Sequence, residues 1–277
     1  MVTPFSHTLF IEAPDYKEHL KSGKLTIFIK DQSLFYVIIG TDHKVKLCKA
    51  IHNKQQLSSS LFLRFVFEKE KVLQGWNDRS QVLSSSPKFT LLPRALSKKG
   101  KDILYAQLFL QDTIYDDEVY TQDFAKDSIR CIFLDNPQLH HVLGEYLGNY
   151  TFKHIATTNF EFGTVLSGEI PNHILLHHLG SHVVASFFKE GQFQYCNAFE
   201  YRTDSGLLYF IRSLIQLMDL QDSIPIFMVG EVDPSDSLFE YLLSHLPGFS
   251  FPHMIERYLP SMPSALPYWK FCYLLFS

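Results

Sequence analysis

The sequence predicts an α/β protein with mixed sheets, built from two successive β-β-β-α-β-α units. Two observations lead to this fold class. First, residues 24–50 and residues 173–199 each contain three short apolar runs separated by polar or glycine-containing turns, the pattern of three short strands. Second, each triplet continues into a segment with helical periodicity. Antiparallel strands joined through helices to further strands form a mixed sheet with helices on its faces.

The first unit continues beyond residue 50 with alternating helices and strands. The pattern predicts, in chain order, a helix over roughly 55–73, a strand around Phe89 to Leu92, a helix between Pro93 and Leu110, strands near 117–122 and 128–134, and a helix over 136–148. These elements follow the unit plan less regularly than those of the second unit.

The second unit shows the plan more clearly. Its three strands are separated by a Gly-Ser break and a Lys-Glu-Gly turn, and a helix over 203–219 follows, with Thr203 or Asp204 as its N-cap. A strand over 224–229 then ends at Gly230, and a helix over 235–246 begins with Ser235 or Asp236 as its cap.

The two strand triplets form a repeat at the level of pattern. Aligning Leu34 with Val183 brings the second and third strands of the two segments into register without a gap, although almost no residues are identical. We therefore predict two domains, residues 1–168 with a peripheral N-terminal segment, and residues 169–277. The last ten residues, YWKFCYLLFS, are interpreted as a terminal packing element.

Composition excludes several classes of function. The chain has 277 residues, 46% of them hydrophobic, which is enough for sizeable cores. A net charge of −4, with only a small Lys98, Lys99, Lys101 cluster, argues against a nucleic-acid partner. There is no signal-peptide pattern and no run of the ~20 apolar residues that membrane insertion requires. Four cysteines far apart in sequence predict buried free thiols, so we expect a cytoplasmic protein.

Two β-β-β-α-β-α units in tandem resemble the actin, hexokinase and Hsp70-type ATPase superfamily. Its members duplicate this ribonuclease H-like unit and bind ATP between the halves. The apolar hairpin openings, the PKFTLLPRAL stretch and the NAFEYRTDSGLLYFI run are similar to an uncharacterised bacterial family with an actin-like ATPase fold. The resemblance extends over roughly Lys24 to Phe249. It implies two ribonuclease H-like domains with a cleft between them.

The resemblance implies phosphate-binding turns at the first hairpin of each unit. The superfamily has Asp-x-Gly-Ser/Thr there: the acid organises magnesium, and the glycine lets backbone N–H groups approach phosphate. In the first turn Ser33 takes the hydroxyl position and Lys30 takes the position of the acid, while Asp31 is one residue out of register. In the second turn Gly180 and Ser181 are kept, and His178 replaces the acid.

A third superfamily motif, a Gly-Gly turn against the adenosine, reads Gly230-Glu231 here. If a nucleotide binds, the resemblance therefore assigns it to the following residues: Asp31, Ser33, His178, Gly180, Ser181, Gly230 and Glu231. Taken without the fold, the Gly-Ser turn and the Gly230-Glu231 turn are ordinary connections, and that interpretation stays open.

Three altered motifs predict a pseudo-ATPase: a non-catalytic interaction or scaffold module, without catalytic residues, with another protein as its partner. Weak ligand binding in the cleft is left open. The alternative is an active ATPase or small-molecule phosphotransferase that uses ATP and Mg²⁺ at an atypical site. A filament-forming or pilus-assembly role is also compatible with the fold, and the oligomeric state is not predicted.

The histidines and the acidic patch do not predict a metal site. His173 and His177 share one strand face, His178 points to the other, and His182 begins the next strand. The adjacent His140 and His141 diverge on a helix. The patch Asp116-Asp117-Glu118 is interpreted as a solvated turn. G-x-S-x-G, Walker and Rossmann motifs are absent from the sequence.

Overall fold

The computed structural model describes residues 5–30, 33–110, 118–124, 128–253 and 268–275. Within these ranges the backbone forms three β-sheets and seven α-helices. The strands are β1 (Phe5–Glu12), β2 (Lys24–Lys30), β3 (Ser33–Ile39), β4 (Val45–Asn53), β5 (Ser80–Ser84), β6 (Phe89–Pro93), β7 (Glu118–Phe124), β8 (Ile129–Asp135), β9 (Thr151–His154), β10 (His173–His178), β11 (His182–Lys189), β12 (Gln192–Glu200), β13 (Ile226–Gly230) and β14 (Phe249–Ser250). The helices are α1 (Ser59–Lys69), α2 (Asp102–Leu110), α3 (Pro137–Leu147), α4 (Ile155–Ser167), α5 (Asp204–Leu217), α6 (Ser237–His245) and α7 (Cys272–Leu275).

The two large sheets repeat one strand order. The first is β1-β4-β3-β2-β5-β9, and the second is β12-β11-β10-β13-β14. In each, three consecutive strands pair antiparallel, and the first of the three then pairs in parallel with a later strand. The sequence repeat therefore reflects a structural repeat. The segment predicted as peripheral supplies the edge strand β1, which pairs with β4.

The fourth strand of the first sheet repeat, β5, was not recognised in the sequence. Phe89–Pro93 does form a strand, but it belongs to a separate three-stranded sheet, β6-β8-β7, on which α2 packs. The strand that pairs in parallel with β2 is β5, with Leu25 opposite Ser80 and Ile29 opposite Ser84. Its sequence, SQVLS, does not look like a core strand, yet all five of its residues are buried.

The predicted helices are confirmed, and each is shorter in the structure than the range predicted from the sequence. The helix predicted over 55–73 is α1 followed by a 3₁₀ turn over Lys71–Leu73. Thr203 caps α5, because its Oγ1 accepts a hydrogen bond from the Gly206 N–H at 3.1 Å. Asp236 occupies the N-cap position of α6. The sequence analysis missed β9 and the long helix α4.

One hydrophobic core joins the two large sheets. It contains Phe28 and Phe35 from the first sheet, Val184 from the second, and Phe271 and Tyr273 from the C-terminal segment. The C-terminal prediction is confirmed for residues 268–275: Phe271, Tyr273 and Leu274 are buried in this core, and Tyr268 and Cys272 are buried in a second cluster with Phe227 of β13. Residues 276–277 lie outside the described ranges. The domain boundary after residue 168 stays a prediction. None of the described helices has the length and apolar character needed to cross a membrane.

Candidate functional site

The ends of three strands meet between the large sheets. Strand β10 pairs in parallel with β13, and His178 is the register partner of Gly230, so the turns that follow these strands are neighbours. From the first sheet, Lys30 at the end of β2 reaches the same place. The structure thus brings together residues from all three turns that the resemblance assigned to nucleotide. Asp31, the acid of the first turn, lies outside the described residues.

An ion pair between Lys30 and Glu231 occupies the centre of this site. The Lys30 Nζ donates a hydrogen bond to the Glu231 carboxylate. Both side chains are largely shielded from solvent, with 13% of Lys30 and 32% of Glu231 exposed. Lys30 stands at the predicted acid position of the first turn, and Glu231 stands at the second glycine position of the third motif. The two altered positions are therefore direct partners.

The ion pair lies directly over Gly180. A β-carbon on Gly180 would be 2.7 Å from the Lys30 Nζ and 3.6 Å from the Glu231 Oε2. Gly180 has a φ of +80°, a left-handed conformation that favours glycine. The side chains of Lys30 and Glu231 therefore lie against the α-carbon of Gly180, and the Ser181 N–H donates to the Leu179 carbonyl at 3.1 Å within the turn.

His178 ties the second turn to the third. Its Nδ1 lies 2.6 Å from the Glu231 carbonyl oxygen, and its Nε2 lies 2.5 Å from the Tyr201 hydroxyl. Burial lowers the pKa of His178, so the imidazole is neutral near pH 7. The carbonyl can only accept, so Nδ1–H donates to it and Nε2 accepts from Tyr201, whose pKa burial raises to about 12. Both nitrogens are committed to hydrogen bonds.

The remaining predicted residues have structural roles or border the site. Gly230 has a φ of +98°, and a β-carbon there would collide with the His178 carbonyl, so the turn requires glycine. This fits the interpretation of Gly230-Glu231 as a strand-to-helix turn. Ser33 is buried at the start of β3. The Ser181 hydroxyl lies 3.3 Å from the His182 Nδ1 and borders a cavity.

That cavity, of about 360 Å³, is a feature that the sequence analysis missed. Its walls come from both halves: Lys30 and the loop 84–88 on one side, Ser181 and His182 on the other. Two imidazoles hold the loop: the His182 Nε2 donates to the Ser85 carbonyl at 3.0 Å, and the His154 Nε2 donates to the Ser86 carbonyl at 2.8 Å. The sequence feature that could have indicated this cavity is the turn-like run Ser84-Ser85-Ser86-Pro87, which lies at the end of the unrecognised strand β5.

The histidine-rich strand has separate partners for each imidazole. The His173 Nδ1 lies 2.8 Å from the Ile170 carbonyl, and the His177 Nδ1 lies 2.9 Å from the Asn159 Oδ1. Burial lowers the pKa of His173 to about 4 and that of His177 well below its usual value. In the part of the chain that the structure describes, no three His, Cys, Asp or Glu side chains gather as a metal site.

Other candidates from the sequence are also accounted for. The His140 Nδ1 contacts the Tyr150 hydroxyl at 2.8 Å, while the His141 Nε2 pairs with Glu145 at 3.1 Å, so the two rings diverge as expected on a helix. The four cysteines are free thiols. In the acidic patch Asp116-Asp117-Glu118, both aspartates lie outside the described residues.

Solved structures with the same fold have little sequence identity to this chain. A Bacteroides thetaiotaomicron VPI-5482 protein with an actin-like ATPase fold and unknown function superposes with a TM-score of 0.78 at 15% identity, covering 95% of this chain and 98% of that one. The PilM-PilN type IV pilus biogenesis complex gives 0.52 at 10% identity, covering 82% and 87%. The ethanolamine utilization protein EutJ from Carboxydothermus hydrogenoformans gives 0.44 at 9% identity, covering 92% and 89%.

Sequence comparison shows the family. None of the curated proteins matches this chain. A family model described as a protein of unknown function, DUF3822, matches residues 15–248. The predicted fold and the predicted resemblance are both confirmed: the chain has the actin-like ATPase fold and belongs to the DUF3822 family.

Proposed function

We propose that this protein is a pseudo-ATPase: a non-catalytic interaction module that keeps the actin-like fold and has lost ATP turnover. The observation that carries the proposal is the Lys30–Glu231 ion pair, which lies against Gly180 in the turn that the superfamily resemblance assigns to phosphate. A nucleotide phosphate could enter only by breaking this pair, and it would then face the Glu231 carboxylate. The negative charges of the phosphate and of the Glu231 carboxylate would repel each other.

The chemistry of the second turn supports the same conclusion. Mg²⁺ prefers hard oxygen ligands such as carboxylates. At the acid position His178 presents an imidazole with both nitrogens engaged, by the Glu231 carbonyl and by Tyr201. Neither Lys30 nor His178 can replace a carboxylate in holding MgATP. The proposal accordingly assigns no catalytic residue and no resident nucleotide.

The test is a measurement of MgATP binding and turnover on the full chain. A ligand present at 100 times its Kd adds about 2.7 kcal/mol to the unfolding free energy. We expect millimolar MgATP to leave the Tm unchanged and to release no phosphate above a protein-free control. Magnesium-dependent phosphate release that is lost in the Gly180→Ala variant would overturn the proposal.

The cavity supports the second candidate, a small-molecule or nucleotide site in the cleft. Ser84, Ser85, Ser86, Ser181 and Lys30 line it, together with apolar residues that include Val82 and Phe152. A few polar groups among apolar residues are typical of ligand sites. Calorimetric titration of MgATP into the wild-type chain separates the candidates: binding without hydrolysis supports a ligand-binding pseudo-ATPase, and turnover supports the active enzyme.

An interaction role is supported by the fold and by the cysteines. PilM, which shares this fold, occurs in a complex with PilN, so the fold can present a surface to a protein partner. Free thiols at Cys48, Cys131, Cys196 and Cys272 support the proposed cytoplasmic location, because such thiols persist in reducing compartments. The proposal retains the division into residues 1–168 and 169–277.

A further inference from the structure

Helix α2 is apolar on two opposite faces. Its inner face packs on the small sheet through Ala106, which is fully buried against side chains such as Ile132 and Leu134. Its outer face exposes Ile103, Leu104 and Leu108 by 57%, 53% and 66%. A helix that is hydrophobic all round is normally buried on all sides. Among the described residues nothing covers this outer face.

Polar contacts hold α2 in one position. The Asp102 carboxylate pairs with the Arg130 guanidinium at 3.2 Å, and Arg130 also pairs with Asp123 at 2.7 Å. The Tyr105 hydroxyl donates to the Leu96 carbonyl at 3.0 Å, which fixes the preceding turn against the helix. Leu96 itself is 64% exposed. A surface that is already ordered loses little entropy when a partner binds.

The segment that leads into α2 is positively charged. Lys98, Lys99 and Lys101 precede α2 and are exposed. They stand at the helix N-terminus, where the helix dipole itself favours negative charge. The lysines and the dipole therefore add to a positive potential beside the apolar side chains. A partner complementary to both features carries apolar side chains together with carboxylates.

We propose that the outer face of α2, with Leu96 and the three lysines, docks an amphipathic helix of a partner protein that carries acidic residues beside its apolar stripe. We call this the α2 surface. The inference rests on the proposed interaction role and specifies the chemistry of the partner. A helix in a groove or on a helix face is a common mode of protein recognition.

The test uses two labelled peptides of about 15 residues, long enough to form a helix. Both carry leucines at helical spacing, one with glutamates and the other with lysines at the remaining positions. Fluorescence anisotropy on the full chain measures binding. We expect the glutamate peptide to bind more tightly than the lysine peptide and to protect the amides of residues 102–110 from hydrogen exchange.

Variants then locate the binding site. Leu104→Glu/Leu108→Glu should weaken binding of the glutamate peptide by at least about tenfold, equivalent to about 1.4 kcal/mol. Lys98→Glu/Lys99→Glu/Lys101→Glu should reverse the preference between the peptides. The matched control is Leu243→Glu on α6, where an exposed leucine lies away from α2 and its loss should leave Kd unchanged.

Three results would overturn the inference: equal affinity for both peptides, binding of phosphatidylglycerol vesicles in place of the peptide, or self-association that Leu104→Glu/Leu108→Glu abolishes. The second result would assign the surface to membrane, and the third to a second copy of the chain. Hydrogen exchange on the wild-type chain gives an answer even if a variant fails to fold. ATP turnover would refute the pseudo-ATPase proposal without changing the peptide result, so the two can fail separately.

Discussion

Replacing Lys30 and replacing Glu231 should lower the free energy of unfolding by different amounts, although both changes break the same ion pair. Exposed ion pairs contribute about 0.2–1 kcal/mol, whereas removing one partner of a buried pair costs about 3–5 kcal/mol. This pair lies between the two limits, because Lys30 is 13% and Glu231 is 32% exposed. Glu231→Gln strands the less exposed charge, so we expect a loss of about 2 kcal/mol in unfolding free energy. Lys30→Met leaves the more exposed carboxylate and should cost about 1 kcal/mol.

Urea denaturation of the two single variants and the double variant gives the coupling energy. We expect Lys30→Met/Glu231→Gln to be more stable than the sum of the single losses predicts, by about 1–2 kcal/mol. The exposed pair between Arg64 and Glu145 is the matched control, and its cycle should give a smaller coupling. If the Lys30 and Glu231 losses add to within about 0.5 kcal/mol, the two groups are independent and the ion pair does not close the site.

Three further predictions concern glycines and pH. Gly180→Ala should lose about 0.5–1 kcal/mol more stability than Gly75→Ala, because both have positive φ (80° and 77°) but only a β-carbon at Gly180 forces the flexible end of Lys30 to move; equal losses in urea would contradict this. In α4, Gly163→Ala should cost about 2 kcal/mol, because its β-carbon collides with a phenylalanine ring of β11, whereas Gly144→Ala in α3 meets nothing within 4 Å and should gain up to about 1 kcal/mol; a stabilised Gly163→Ala protein would refute the close packing. Finally, burial lowers the pKa of His154 to about 4, so the unfolded chain binds the proton first as pH falls. Unfolding free energy should therefore be highest above pH 6.5 and fall towards pH 4. His154→Asn should make that slope shallower without abolishing it, because burial also lowers the pKa of His173, His177 and His178; an unchanged slope would show that His154 does not titrate in this window.

Local pattern was enough for most elements but not for β5. Apolar periodicity located the strand triplets and helices because it depends on neighbours within a few residues. The strand β5 contains Ser80, Gln81 and Ser84, so its composition does not indicate a buried strand. It lies between β2 and β9, where pairing with both neighbours satisfies its backbone N–H and C=O groups and polar side chains are tolerated. Phe89–Pro93 has the more typical strand composition, so it was the strand that the sequence analysis recognised after the first helix.

For the candidate site, the sequence identified the altered positions but not their relationship. Lys30 and Glu231 were each found by comparison with a motif of the superfamily. Nothing in local pattern indicates that side chains 201 positions apart form an ion pair over Gly180. The cavity bounded by the loop 84–88 was missed for the same reason, because its walls come from both halves of the chain.

The sequence by itself therefore determined the two strand triplets, most of the helices and the positions of the three altered motifs. Those features follow from side-chain periodicity and from the backbone preferences of residues such as Gly180 and Gly230. Only the tertiary structure decided which strands share a sheet and that Lys30 and Glu231, two of the altered positions, pair with each other against Gly180. Sheet pairing and charge pairing depend on which distant segments meet, and that is settled by packing of the whole chain.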